Sequence, residues 1–161
     1  MGRTGLGQRW EHPPARRVNS SYFGILSEHW RWGFMALTIL VVDDSKLARM
    51  AVAKVLGGLR PDWTRVEAAN ADEALAAIHE KTPDLAVLDF NMPGRDGLDV
   101  AAEFRRLRPA MPVAVISANH QQEIVDRAHA LGAVFLSKPL TEPALRDFLA
   151  GAVRQIEAGG A

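Results

Sequence analysis

Cysteine is absent from all 161 residues. That excludes disulfides and thiolate metal sites, and it permits a reducing compartment. A charge surplus is also absent: 19 basic and 19 acidic residues leave a formal net charge of zero. No bulk attraction to nucleic acid or to an anionic membrane follows. Long apolar runs are missing. The longest, Gly33 to Val42, has ten residues and stops at two aspartates, where a transmembrane helix needs roughly 20. No membrane span is expected. No glycine-rich phosphate loop follows the first apolar run; Asp43-Asp44-Ser45-Lys46 stands there instead. Its acids would repel a pyrophosphate, which argues against a dinucleotide or flavin module. No helix-turn-helix is recognisable, so direct nucleic acid binding is not expected. What remains is a composition of 48% hydrophobic and 24% charged residues, that of a soluble globular chain long enough for one core.

The chain divides at Met35. Residues 1–34 hold Arg3, Arg9, Arg16, Arg17 and Arg31 against Glu11 and Glu28. They also hold Pro13-Pro14 and three of the four tryptophans, with no sustained helical or strand period. Phe23-Gly24-Ile25-Leu26 is too short for the apolar stretch of a secretory signal. Residues 1–34 are read as a disordered leader or a mis-assigned start, with a short basic interaction arm as the sharper alternative. Residues 35–161 are read as one compact domain. They end in Gly159-Gly160-Ala161, a frayed helix end, so a stand-alone domain without an output domain is expected.

After Met35 the pattern alternates strand and helix five times. Strands are expected at about 38–42, 64–68, 85–89, 113–117 and 134–137. Helix one should start near Ser45, a good N-cap, turn Leu47, Ala51 and Val55 inward, and end at Gly57-Gly58. Helix two should open at Asn70, with Glu73 placed for a capping box. Helices three, four and five are expected at about 98–107, at about 121–131 and from Thr141 onward. Repeated crossovers imply a parallel sheet covered on both faces. The fold class is therefore α/β, a doubly wound five-stranded parallel sheet of flavodoxin-like (βα)5 type, strand order 2-1-3-4-5.

In such a sheet ligands bind beyond the carboxyl ends of the strands. Asp43, Asp44, Asp89 and Lys138 each follow or end an apolar run, so all four should meet at one edge. Three close carboxylates repel unless a cation joins them. Magnesium takes oxygen ligands, usually one or two carboxylates with phosphate and water. Asp44 and Asp89 suit it, with Asp43 acting directly or through water. A carbonyl from the Asn91-Met92-Pro93-Gly94 turn could complete the shell. Asp89 can act as a nucleophile toward a good phosphoryl donor. Lys138 can pair with a phosphoryl oxygen as a point charge, and Ser117, ending strand four, can donate to another.

The carrying motifs are Ile39-Leu40-Val41-Val42-Asp43-Asp44-Ser45, the segment from Leu88-Asp89 to Asp96-Gly97, Ile116-Ser117-Ala118, and Lys138-Pro139. In this order and spacing, residues 37–153 resemble the receiver domain of two-component response regulators, most nearly the single-domain, CheY-like kind. The resemblance implies that Asp89 is the phosphoacceptor, served by a sensor histidine kinase or a histidine phosphotransfer protein. Asp43, Asp44, Asp89 and the backbone carbonyl of Asn91 would hold Mg2+. Lys138 and Ser117 would bind the phosphoryl group, and the bond to Pro139 would be cis. Phe135 matches the aromatic switch position, and its ring would turn inward as Ser117 moves. A downstream protein would then dock on the helix 4–strand 5–helix 5 face. Phenylalanine there lacks the hydroxyl of the commoner tyrosine. Cytoplasmic localisation and no enzymatic activity beyond self-phosphorylation and self-dephosphorylation are implied.

Plainer readings stand beside these. Asp43-Asp44 could be a solvated helix cap, Asp89 a solvated strand end, Lys138 a surface lysine, and Phe135 a core aromatic. Lys46 and Arg49 could touch a partner kinase but read best as a solvated helix face, His120 and His129 read as surface, and Trp63 as a residue on or near edge strand two. Two other functions compete. One is a phosphorylation-independent scaffold, disfavoured by the intact set of site residues. The other is an aspartate-nucleophile phosphohydrolase of the haloacid dehalogenase type. That enzyme needs a second acid two residues after the nucleophile, where this chain has Asn91.

Overall fold

The computed structural model describes residues 36–159. The leader, mis-assigned start and basic arm considered for residues 1–34 lie outside the described residues. Five strands form one sheet: β1 (Thr38–Val42), β2 (Thr64–Ala68), β3 (Leu85–Asp89), β4 (Val113–Ser117) and β5 (Val134–Ser137). All pair in parallel, in the order β2-β1-β3-β4-β5. Five helices alternate with them: α1 (Lys46–Leu59), α2 (Ala71–Glu80), α3 (Gly97–Leu107), α4 (Gln122–Ala130) and α5 (Glu142–Gly159). The strand bounds are those expected from the sequence, and so is the flavodoxin-like order.

Strands β3 and β4 are buried at every residue and β1 at four of its five, which is why they read as unbroken apolar runs. Side chains alternate between the faces. Leu40, Val42, Ala86, Leu88, Val113 and Val115 join one cluster with the inner residues of α2, α3 and α4, including the fully buried Phe104. Ile39, Val41, Leu85, Val87, Ala114 and Ile116 face the other way, toward α1 and α5. Edge strand β2 is mostly exposed. Trp63 sits half-buried just ahead of it, under the Arg60 guanidinium at 4.7 Å.

The helix starts follow their caps. Ser45 Oγ accepts from Ala48 N, and Asn70 Oδ1 accepts from Glu73 N. The Glu73 carboxylate accepts from Ala69 N and from the Asn70 side-chain amide rather than from the N-cap backbone N–H. A complete capping box occurs instead at α3, between Asp96 and Asp99. It brings Gly97 so close to β3 that a Cβ there would overlap the Asp89 carbonyl.

Two expectations for α1 are corrected. Gly57 and Gly58 do not end it; the helix runs through both to Leu59. Arg60 then leaves helical geometry at φ −143° and ψ 71°, because the residue before Pro61 is disfavoured in the α region. The buried face is also different. Val52 and Leu56 are buried, whereas Leu47 is 76% and Met50 56% exposed, and Ala51 is exposed as well.

Candidate functional site

The strand register brings the expected residues together. Val42 lies beside both Ala68 and Leu88, and Asp89 beside Ile116. The first residues past β1 therefore emerge next to the end of β3. Asp43, Asp44 and Asp89 each place a carboxylate oxygen within 4.8 Å of the other two. Asp43 is 6% and Asp89 3% exposed, while Asp44 is open to solvent. Lys138, one residue past β5, reaches across β4. Its Nζ is 2.7 Å from Asp89 Oδ1 and 3.6 Å from Asp43 Oδ2. The Lys138–Pro139 peptide bond is cis.

Burial is the largest effect on Asp89 and raises its carboxyl above the ordinary range, against the pull of Lys138 and with the Asp43 charge adding to the rise. Burial acts to lower the Lys138 ammonium, but its bond to Asp89 and the charges of Asp89 and Asp43 outweigh this and hold it above its usual value. One lysine thus faces two buried carboxylates. Lys138 Nζ and Asp89 Oδ1 form a close ion pair, while Asp43 Oδ2 stands farther from the ammonium. An all-oxygen, net-negative cluster of three carboxylates facing one lysine fits a hard divalent cation.

The remaining expected residues surround this cluster. Asn91 is exposed, two residues past Asp89 in the turn ahead of α3. Ser117 is fully buried at the end of β4; its Oγ accepts from Asn119 N at 2.9 Å, and its carbonyl accepts from Lys138 N at 2.9 Å. Phe135 is half-buried against the core, and its ring meets His120 edge-on at 5.9 Å. His120 is exposed but not isolated, as a bare surface reading would have it. His129 is exposed.

Two participants escaped the sequence reading. Gly97 is needed for the close approach of α3 to Asp89; it stood in the motif without a stated reason. Arg49 is no solvated residue. Its Nη1 donates to the Asp43 carbonyl at 2.7 Å and its Nε to Glu67 at 3.0 Å. The Glu67 partner lies 18 residues away on β2, so no local pattern announces it.

A family model for the response regulator receiver domain matches residues 39–150. The chain is 36% identical over 121 residues to a positive alginate biosynthesis regulatory protein of Pseudomonas aeruginosa, covering 73% of this chain and 48% of that one. It is 42% identical over 109 residues to a protein-glutamate methylesterase/protein-glutamine glutaminase of Paraburkholderia xenovorans, covering 64% of this chain and 29% of that one. The chain therefore spans at most about half the length of these two relatives. In fold it is similar to a CheY-like response regulator receiver domain protein of Methanospirillum hungatei JF-1. The TM-score is 0.71 at 23% identity, over 78% of this chain and 99% of that one. The family match covers every strand residue but Thr38 and half of α5, so residues 39–150 belong to the response regulator receiver family of two-component signalling.

Proposed function

We propose that residues 35–161 are a complete receiver domain that accepts a phosphoryl group on Asp89 and exposes a changed protein-binding face in response. The observation that carries this reading is the buried Asp89 carboxylate, within 2.7 Å of Lys138 and within 4.8 Å of two further carboxylates. A sensor histidine kinase or a histidine phosphotransfer protein is the donor. In the step, an Asp89 oxygen forms a bond to phosphorus as the phosphorus–imidazole nitrogen bond breaks, and the imidazole leaves with the electron pair. Asp43, Asp44, Asp89 and the Asn91 carbonyl hold Mg2+, which when bound supplies positive charge to the phosphoryl oxygens. Lys138 orients the accepting carboxylate and then pairs with the phosphoryl group.

Ser117 Oγ accepts from Asn119 N, which ties the hydroxyl to the turn after β4 while its O–H can still donate, so a shift of Ser117 toward a phosphoryl oxygen carries that turn with it. Phe135, half-buried against His120, sits where that movement would be felt on the α4–β5–α5 face, the proposed docking surface for a downstream protein. The equilibrium between two arrangements of this face is what phosphorylation biases.

No catalysis on an external substrate is assigned to this domain. Asn91 stands where a phosphohydrolase with an aspartate nucleophile would need its general acid. The methylesterase relative shares 29% of its length with this chain. Among the described residues no helix is long and apolar enough to cross a membrane, and a phosphohistidine donor places its acceptor in the cytoplasm.

The test is intact mass of wild type and Asp89→Asn after incubation with acetyl phosphate, with and without Mg2+. One magnesium-dependent phosphoryl group on wild type and none on the mutant is expected. A modified Asp89→Asn protein would sink the site assignment. No modification of wild type, even by a kinase extract, would leave the scaffold as the better account.

A further inference from the structure

Every polar backbone group of Asp43 is taken. Its N–H donates to the Ala68 carbonyl at 3.1 Å, across to edge strand β2. Its carboxylate Oδ1 accepts from Ser45 N at 2.8 Å. Its carbonyl accepts from Arg49 Nη1 at 2.7 Å. That carbonyl belongs to the peptide leading into Asp44. Asp44 is exposed, whereas the other two acids of the cluster are buried. Packing therefore holds Asp43 and Asp89 in place but cannot do so for Asp44. The plane of the Asp43–Asp44 peptide decides where the Asp44 carboxylate stands.

Arg49 is itself braced. Its side chain is 15% exposed, and its Nε pairs with Glu67 Oε2 at 3.0 Å. Glu67 Oε1 in turn accepts from Arg65 Nε at 3.0 Å. One guanidinium thus spans from β2 to the turn after β1, with two of its nitrogens aimed at two acceptors. A planar fork does this; a lysine ammonium is a single point and keeps one of the two contacts. Asp43 and Glu67 are bonded through different nitrogens of the guanidinium, so each contact helps to hold the fork for the other.

We propose that Arg49, braced by Glu67, is a positioning residue for the cation site: by holding the Asp43 carbonyl it fixes the peptide that aims the Asp44 carboxylate. The inference rests on the reading of Asp43, Asp44 and Asp89 as a magnesium site. Arg49 meets the cluster through the Asp43 backbone carbonyl and not through a carboxylate oxygen. It acts in the way that partners behind metal ligands do, where loss of one typically weakens metal binding by about 10–100-fold.

The test uses the full chain as wild type, Arg49→Met, Arg49→Lys and Glu67→Gln. Mg2+ is titrated by calorimetry, and the rate of Asp89 modification by acetyl phosphate is followed against Mg2+ concentration. For Arg49→Met the expected result is a dissociation constant raised on the order of tenfold, with the rate at saturating Mg2+ within about twofold of wild type. Glu67→Gln should raise the constant less, and Arg49→Lys should restore part of the loss. Equal constants in wild type and Arg49→Met would overturn the inference while leaving the magnesium reading intact. A wild type that binds no Mg2+ would overturn both. If Arg49→Met loses its cooperative melt, Glu67→Gln decides: an unchanged constant there assigns Arg49 a purely structural part and overturns the proposal.

Discussion

Asp89 and Glu67 respond to pH with opposite signs, and each sign has a cause in the structure. Burial pushes the Asp89 carboxyl up. The folded chain then holds that proton more tightly than the unfolded chain. Stability falls as pH rises from the ordinary carboxylate value through the raised one. At neutral pH the ionised Asp89 is a burden that Lys138 relieves in part. Asp89→Asn should therefore melt at a higher temperature than wild type at pH 7 without Mg2+, and the gap should narrow near pH 4. Added Mg2+ should raise wild type more than the mutant. Melts across that range check this; a mutant less stable at pH 7 would mean that the Lys138 ion pair outweighs burial. Glu67 is the reverse case. Its bond to Arg49 is the largest effect and lowers its pKa. Its contribution is present above the ordinary glutamate value and is lost as pH falls through the lowered one. The group is about one-third exposed, so water screens it, and Glu67→Gln should cost about 0.5 kcal/mol at pH 7 and nothing measurable near pH 3.

At the scale of elements, prolines and caps decide where helices begin and end, and one glycine decides how α3 seats. Helix α1 stops ahead of Pro61, and α3 stops at Leu107 with Arg108 (φ −136°, ψ 74°) ahead of Pro109. The glycine pair in α1 looked like a terminator only because Gly57 and Gly58 were weighed without the proline three residues on; neither adopts positive φ. The face of α1 was misread for a related reason. Leu47, Met50, Ala51, Val52, Val55 and Leu56 are apolar around most of the helix, so periodicity alone admits two registers. Strands were legible throughout, because buried parallel strands are apolar runs with polar stops. The acid cluster and Lys138 were legible because those stops are the site. Arg49 and Arg105 were not: Arg105 on α3 donates to the Leu131 carbonyl at 2.8 Å and the Gly132 carbonyl at 3.2 Å, contacts that no helical spacing encodes. Gly97→Ala is the sharpest test of α3 seating. Its Cβ would lie 2.9 Å from the Asp89 carbonyl carbon, and neither backbone can yield without displacing the acceptor. A loss of about 1–3 kcal/mol and slower Asp89 phosphorylation are expected together. Wild-type stability and rate in Gly97→Ala would show that α3 can slide without disturbing β3.

At the scale of the whole molecule, the position of the core sets what folds as a unit. Among the described residues the buried apolar ones run from Leu37 to Val153, and the five strands and five helices fall between Thr38 and Gly159. Every strand of the sheet finds its partners inside that span. The charge divides at the same place: residues 1–34 carry five arginines against two glutamates, and the remainder carries the balancing acid excess. Residues 35–161 alone should accordingly melt cooperatively within about 3 °C of the full chain, the shift that roughly 1 kcal/mol makes at this size. Their rate of Mg2+-dependent phosphorylation should be unchanged. Thermal melts and intact-mass time courses on the two proteins, side by side, separate three cases. Matching values make residues 35–161 the folding and signalling unit. A much lower melting temperature would mean that residues 1–34 contribute to the fold. A matching melt with an altered rate would instead tie the basic segment to the acidic site, since a positive neighbour would change how readily the three carboxylates take a cation.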